Sequence, residues 1–121
     1  RVPAIQSGHN RIELRSPVTA CNPYLALALI LAAGLDGIER NLKLSPALTQ
    51  NAYLMSPDEL KSQNIELLPS TLNEALLLMK ESEFIKSILG NHIFDEYIAE
   101  KEKEWQLYNQ TIHDWEIKNY L

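Results

Sequence analysis

The most apolar stretch of the chain lies between residues 24 and 38, where hydrophobic side chains recur at helical spacing and also fill most positions between. Asn22 before it is a favourable N-cap, and Pro23 suits the first helical position. The pattern predicts a helix from Pro23 to about residue 42. A helix that is apolar on nearly all sides is typical of a buried central element.

Two shorter segments before this helix have the character of strands. They comprise residues 1–5 and 10–15, separated by a polar connection in which Gly8 can supply a positive φ. Proline at position 17 ends the second strand. The two segments predict a short β-hairpin, which needs further structure to cover it.

The rest of the chain is predicted to be helical, so the expected fold class is mostly α with a short N-terminal β-hairpin. The prolines at positions 46, 57 and 69 mark a long irregular connection over residues 43–69. The predicted elements are a short helix from Ser56-Pro57, a helix opening at residues 70–74, a helical segment over residues 82–89 closed by Gly90, and a long helix over residues 91–121 that bends near His113 and Asp114.

Composition narrows the class of protein. The chain has 121 residues, enough for one small domain, and its net charge is -5, from 11 basic and 16 acidic side chains, which disfavours a nucleic-acid partner. Its longest apolar run, residues 25–35, is too short to span a bilayer. The single cysteine, Cys21, excludes an internal disulfide. We therefore expect a cytoplasmic protein without membrane or nucleic-acid partners.

The candidate chemistry lies on the second strand. Because side chains alternate across a strand, Arg11, Glu13 and Arg15 are expected on one face. They could form a surface ion-pair ladder that contributes little to stability. Alternatively, the carboxylate could hold a metal ion while the arginines bind phosphoryl and carboxylate groups. Spacing alone favours the first interpretation and leaves both open.

Several short segments occur in an order that is highly specific. They are Arg1-Val2-Pro3-Ala4, Arg11-Ile12-Glu13-Leu14-Arg15-Ser16-Pro17, Asn22-Pro23-Tyr24-Leu25-Ala26, Ala32-Ala33-Gly34-Leu35-Asp36-Gly37-Ile38, Asn51-Ala52-Tyr53, Leu68-Pro69-Ser70-Thr71-Leu72-Asn73-Glu74-Ala75-Leu76, and the aromatic tail that ends with Trp115-Glu116 and Tyr120. With these segments the whole chain resembles the C-terminal part of the catalytic domain of a type I, or prokaryotic-type, glutamine synthetase.

The resemblance implies ATP-dependent ligation of ammonia to L-glutamate, giving L-glutamine through γ-glutamyl phosphate. Glu13 matches a glutamate that binds Mg²⁺ (or Mn²⁺), and Arg15 matches the arginine that engages the substrate glutamate. Arg1 and Arg11 match positions at the ATP phosphates. No residue of this chain is assigned a catalytic role beyond these contacts.

The resemblance also implies an organisation. Residues 1–16 would be active-site strands, and residues 22–121 the helical end of an α+β catalytic domain. Residues 115–121 would form a tail strap in a homododecamer. The chain starts at Arg1 without methionine, so we expect it to be part of a longer enzyme and inactive alone.

Some positions weaken a direct transfer of roles. Residues 18–21 replace an Asp-Pro pair found in many relatives, and Gly8 and His9 stand where some relatives place a basic residue for ATP. Tyr53 lies where one subclass is adenylylated, but the residues after it differ, so an ordinary loop tyrosine in a feedback-inhibited enzyme is favoured. Two alternative functions stay open: a stand-alone helical interaction module, and a related glutamate–amine ligase.

Overall fold

The computed structural model describes residues 5–8, 11–46, 48 and 50–120. The chain divides into two compact units, Arg1–Leu67 and Leu68–Leu121. Most of its regular structure is helical, as predicted. The elements are strands β1 (Ile5–Gly8) and β2 (Arg11–Leu14), helices α1 (Pro23–Glu39), α2 (Pro57–Ser62), α3 (Leu72–Lys80), α4 (Glu83–Gln110) and α5 (Asp114–Tyr120), and a 3₁₀ turn, Ala52–Leu54.

Strands β1 and β2 pair antiparallel, with Ile5 opposite Leu14 and Gly8 opposite Arg11. The predicted connection, residues 6–9, was placed wrongly, because residues 6–8 belong to the strand Ile5–Gly8. The polar residues in that segment resemble a turn by composition. The ladder is formed by backbone groups, however, and does not require apolar side chains. Residues 1–4 lie outside the described part of the chain.

Helix α1 begins at the predicted cap, since Asn22 Oδ1 accepts from the backbone N–H of Tyr24 at 3.0 Å. It ends at Glu39, earlier than the predicted residue 42. Asn41 adopts a left-handed conformation, with φ 51°, and the N–H of Leu42 donates to the carbonyl of Gly37 at 2.9 Å. This closed C-terminal motif stops the helix although the apolar pattern continues.

The expectation that α1 is a buried helix is wrong for this chain taken by itself. None of its residues is buried, and Tyr24, Leu31 and Ile38 are 83%, 66% and 73% exposed. The hydrophobic pattern shows that a helix needs another surface packed against it, but it does not show which part of a protein provides that surface. No element among the described residues buries this helix.

In the second unit, α3 packs on α4 around three buried side chains, Leu76, Phe94 and Ile98. Four partly buried residues surround them: Leu72, Met79, Ile85 and Leu89. The spacing of Leu72, Leu76 and Met79 in the sequence predicts that they share one apolar face of α3, and this face is confirmed. An ion pair between Lys80 and Glu102 also joins the two helices.

The start of α3 is fixed by two overlapping caps. The hydroxyl of Thr71 accepts from the backbone N–H of Glu74 at 3.1 Å, while the carboxylate of Glu74 accepts from the N–H of Ser70 at 2.8 Å. The backbone and hydroxyl hydrogen bonds of Ser70 hold the pKa of Glu74 below its ordinary value. This stabilising cap is present above the pKa of the unfolded chain and is lost as the pH falls through the lower pKa of the folded chain.

Both predicted breaks in the C-terminal helical region are confirmed. Gly90 interrupts α4 with φ 74° and ψ 157°, a conformation that is essentially restricted to glycine. Helix α4 ends at Gln110, and α5 begins at Asp114, where the carboxylate of Glu116 accepts from the N–H of His113 at 2.8 Å. Within the described ranges, no helix is both long enough and apolar enough to cross a membrane.

Candidate metal- and anion-binding site

The charged face predicted for β2 is present at its C-terminal end. Glu13 is the third residue of the strand, and Arg15 follows the strand directly. Arg15 Nε donates to Glu13 Oε1 at 2.5 Å. The alternation along an extended chain therefore places a carboxylate and a guanidinium side by side.

This pair is accessible to solvent, with 41% of the Glu13 side chain and 49% of the Arg15 side chain exposed. An ion pair at such a surface contributes about 0–1 kcal/mol to stability. Both groups also remain reachable by ligands from solution. The geometry thus fits a binding role at least as well as a structural one.

The other two predicted binding residues are less constrained by the structure. The backbone of Arg11 belongs to β2, opposite Gly8. Arg1 lies outside the described residues. Their assignment to ATP phosphates therefore stays a prediction, while Glu13 and Arg15 are brought into contact.

Glu13 has the chemistry of a magnesium ligand, because hard cations prefer carboxylate oxygens. Throughout the described part of the chain, however, no group of three or more His, Cys, Asp or Glu side chains could hold a metal ion together. Glu13 therefore has the donor chemistry of one metal ligand, and the described residues supply no complete set around it.

The remaining single residues considered in the sequence have ordinary surroundings. Cys21 is half-buried just before the cap of α1. Tyr53 lies in the 3₁₀ turn and is 59% exposed, and the side chain of Asn51 accepts from its backbone N–H at 3.1 Å. These contacts explain the local fold and supply no second chemical group that would make either residue a site.

Sequence reasoning missed a cavity of about 380 Å³ in the second unit. Its lining comprises Ser70, Thr71, Leu72, Glu104, Trp105 and Tyr108. The rings of Trp105 and Tyr108 stack with centroids 5.9 Å apart, and Tyr108 also meets His113 at 4.5 Å. The three-residue spacing of the aromatic pair was the available signal, although it is also the spacing of ordinary core residues.

The C-terminal end of β2 presents a carboxylate beside a guanidinium, and the helices that follow have uncovered apolar surface. A chain of this kind can contribute to a metal- and anion-binding site. Comparison with known families is more specific. Residues 1–120 match the family described as glutamine synthetase, catalytic domain. The chain belongs to this family, which confirms the resemblance found in its sequence.

Individual relatives agree along the whole chain. It is 46% identical over 121 residues to a glutamine synthetase of Clostridium saccharobutylicum and 44% identical to one of Methanosarcina mazei. A glutamine synthetase of Staphylococcus aureus is also 46% identical. In each comparison the alignment covers 100% of this chain and 27% of the relative. The chain thus spans about a quarter of the length of these proteins.

Proposed function

We propose that this chain is the C-terminal part of the catalytic domain of a glutamate–ammonia ligase. The full enzyme would transfer the γ-phosphoryl group of ATP to L-glutamate, giving ADP and γ-glutamyl phosphate, and ammonia would then displace phosphate to give L-glutamine. The observation that carries this proposal is the match of the whole chain to the corresponding quarter of glutamine synthetases, with 46% identity to a bacterial relative. The contact between Glu13 and Arg15 supports it, since the reaction requires both a metal ligand and an anion-binding group.

In this proposal Glu13 is one carboxylate ligand of Mg²⁺ (or Mn²⁺). The bound cation would neutralise negative charge on the transferring phosphoryl group. Glu13 is suited to this role because its side chain is 41% exposed and ends in hard oxygen ligands. The family relationship and this donor chemistry support the assignment.

Arg15 would bind a carboxylate of the substrate glutamate, and Arg1 and Arg11 would bind the phosphates of ATP. A guanidinium can bond two oxygens of one anion at once and retains its charge at all physiological pH values. Because Arg15 lies next to Glu13, the bound substrate would be close to the proposed metal ion. Orientation of the two substrates is a large part of catalysis in phosphoryl transfer.

The exposed surface of α1 also supports a role within a larger domain. Leu27 and Leu35 on this helix are 65% and 53% exposed. An exposed apolar helix is unfavourable in water and is typical of a surface that another part of a protein covers. A stand-alone interaction module would also present such a surface, but the identity to glutamine synthetases over the whole chain favours the ligase.

The activity can be tested with the full-length protein that contains this chain. We expect glutamine formation that requires glutamate, ammonia, ATP and a divalent cation, with one phosphate released per glutamine. The isolated 121 residues should be inactive, because the part of the chain that the structure describes contains Glu13 as a candidate metal ligand and no complete ligand set.

Amine specificity is measured in the same assay by replacing ammonia with primary amines. A preference for an organic amine would identify a related glutamate–amine ligase. Full activity of the isolated chain would contradict the proposed division of the active site.

We also propose that α5 is a strap that contacts another subunit of a dodecamer. The aromatic residues Trp115 and Tyr120 are 62% and 75% exposed and meet edge to face, with centroids 5.6 Å apart. Removal of a large aromatic anchor from an interface typically costs 2 kcal/mol or more, as an order-of-magnitude value. Trp115→Ala should therefore shift the full-length enzyme towards smaller assemblies in light scattering, whereas Leu107→Ala, at a site that is 65% exposed on α4, should not.

If Trp115→Ala and Leu107→Ala assemblies have the same mass as the unmodified enzyme over a range of dilutions, the strap has no role in assembly. In that case the aromatic tail would pack within its own subunit.

A further inference from the structure

We draw no further inference here: the strongest candidate, the mainly apolar cavity that Leu72 at the start of α3 and Trp105 and Tyr108 on α4 line, is open to solvent, and nothing in the part of the chain that the structure describes shows what covers it.

Discussion

Replacement of Glu13 by alanine in the full-length enzyme is expected to lower kcat/KM for glutamate by about a hundredfold, which corresponds to about 2.7 kcal/mol of transition-state stabilisation. A bound metal ion supplies several kcal/mol of charge stabilisation to a reacting phosphoryl group. Loss of one carboxylate ligand weakens the binding of this metal ion or changes its position. The measurement is steady-state glutamine formation over a range of Mg²⁺ concentrations.

Asp36→Ala is a matched control for this prediction. Asp36 is also a carboxylate in an exposed ion pair with an arginine, Arg40, but it belongs to α1 and not to β2. Removal of that pair should change kcat/KM by less than about twofold, because such pairs contribute little. If Glu13→Ala and Asp36→Ala have equal effects, Glu13 is only a surface ion-pair partner.

The second large effect is expected in the core between α3 and α4. Phe94 is 4% exposed and packs with Leu76 and Ile98. Truncation of a buried phenylalanine to alanine typically costs about 3–5 kcal/mol, through lost burial and the cavity that remains. Phe94→Ala should therefore lower the urea midpoint for loss of helical circular dichroism in the 121-residue chain.

Ile93→Ala provides the comparison, because Ile93 is the neighbouring residue on α4 and is 45% exposed. Its truncation should cost less than about 1 kcal/mol, since much of its apolar surface is already in contact with water. Equal urea midpoints for the two variants would show that the described core does not stabilise this pair of helices.

Local chemistry predicted much of the helical structure. The Asn22 cap of α1, the start of α2 at Ser56-Pro57 and the glycine break at Gly90 all lie where the sequence indicated. Each depends on residues within one helical turn of the feature, so the interactions that stabilise it lie within a short segment of the sequence. The apolar spacing of α3 was equally informative, because its partner α4 lies in the same unit.

Features that depend on distant partners were harder to predict. The burial of α1 was expected from its composition, yet none of its residues is buried, because burial requires a second surface as well as an apolar helix. Residues 6–8 of β1 were mistaken for a connection, since polar residues can join a ladder through their backbone. The cavity beside Trp105 depends on how two helices pack, which spacing along one helix does not determine.

The candidate site was predictable in part. Alternation along a strand correctly placed Glu13 and Arg15 on the same face. Spacing did not distinguish a surface ion pair from a binding site, because both use the same residue types. That distinction came from the surrounding segments and the family they indicate, and the roles of Arg1 and Arg11 stay predictions.

The central proposal is that Glu13 is a metal ligand in a glutamine synthetase. The most direct measurement is titration of the full-length enzyme with Mn²⁺, followed by electron paramagnetic resonance, for the unmodified protein and for Glu13→Ala. The proposal predicts that Glu13→Ala loses one class of tightly bound Mn²⁺ per subunit, or binds it at least about tenfold more weakly. The same number of ions bound with the same affinity in both proteins would contradict it.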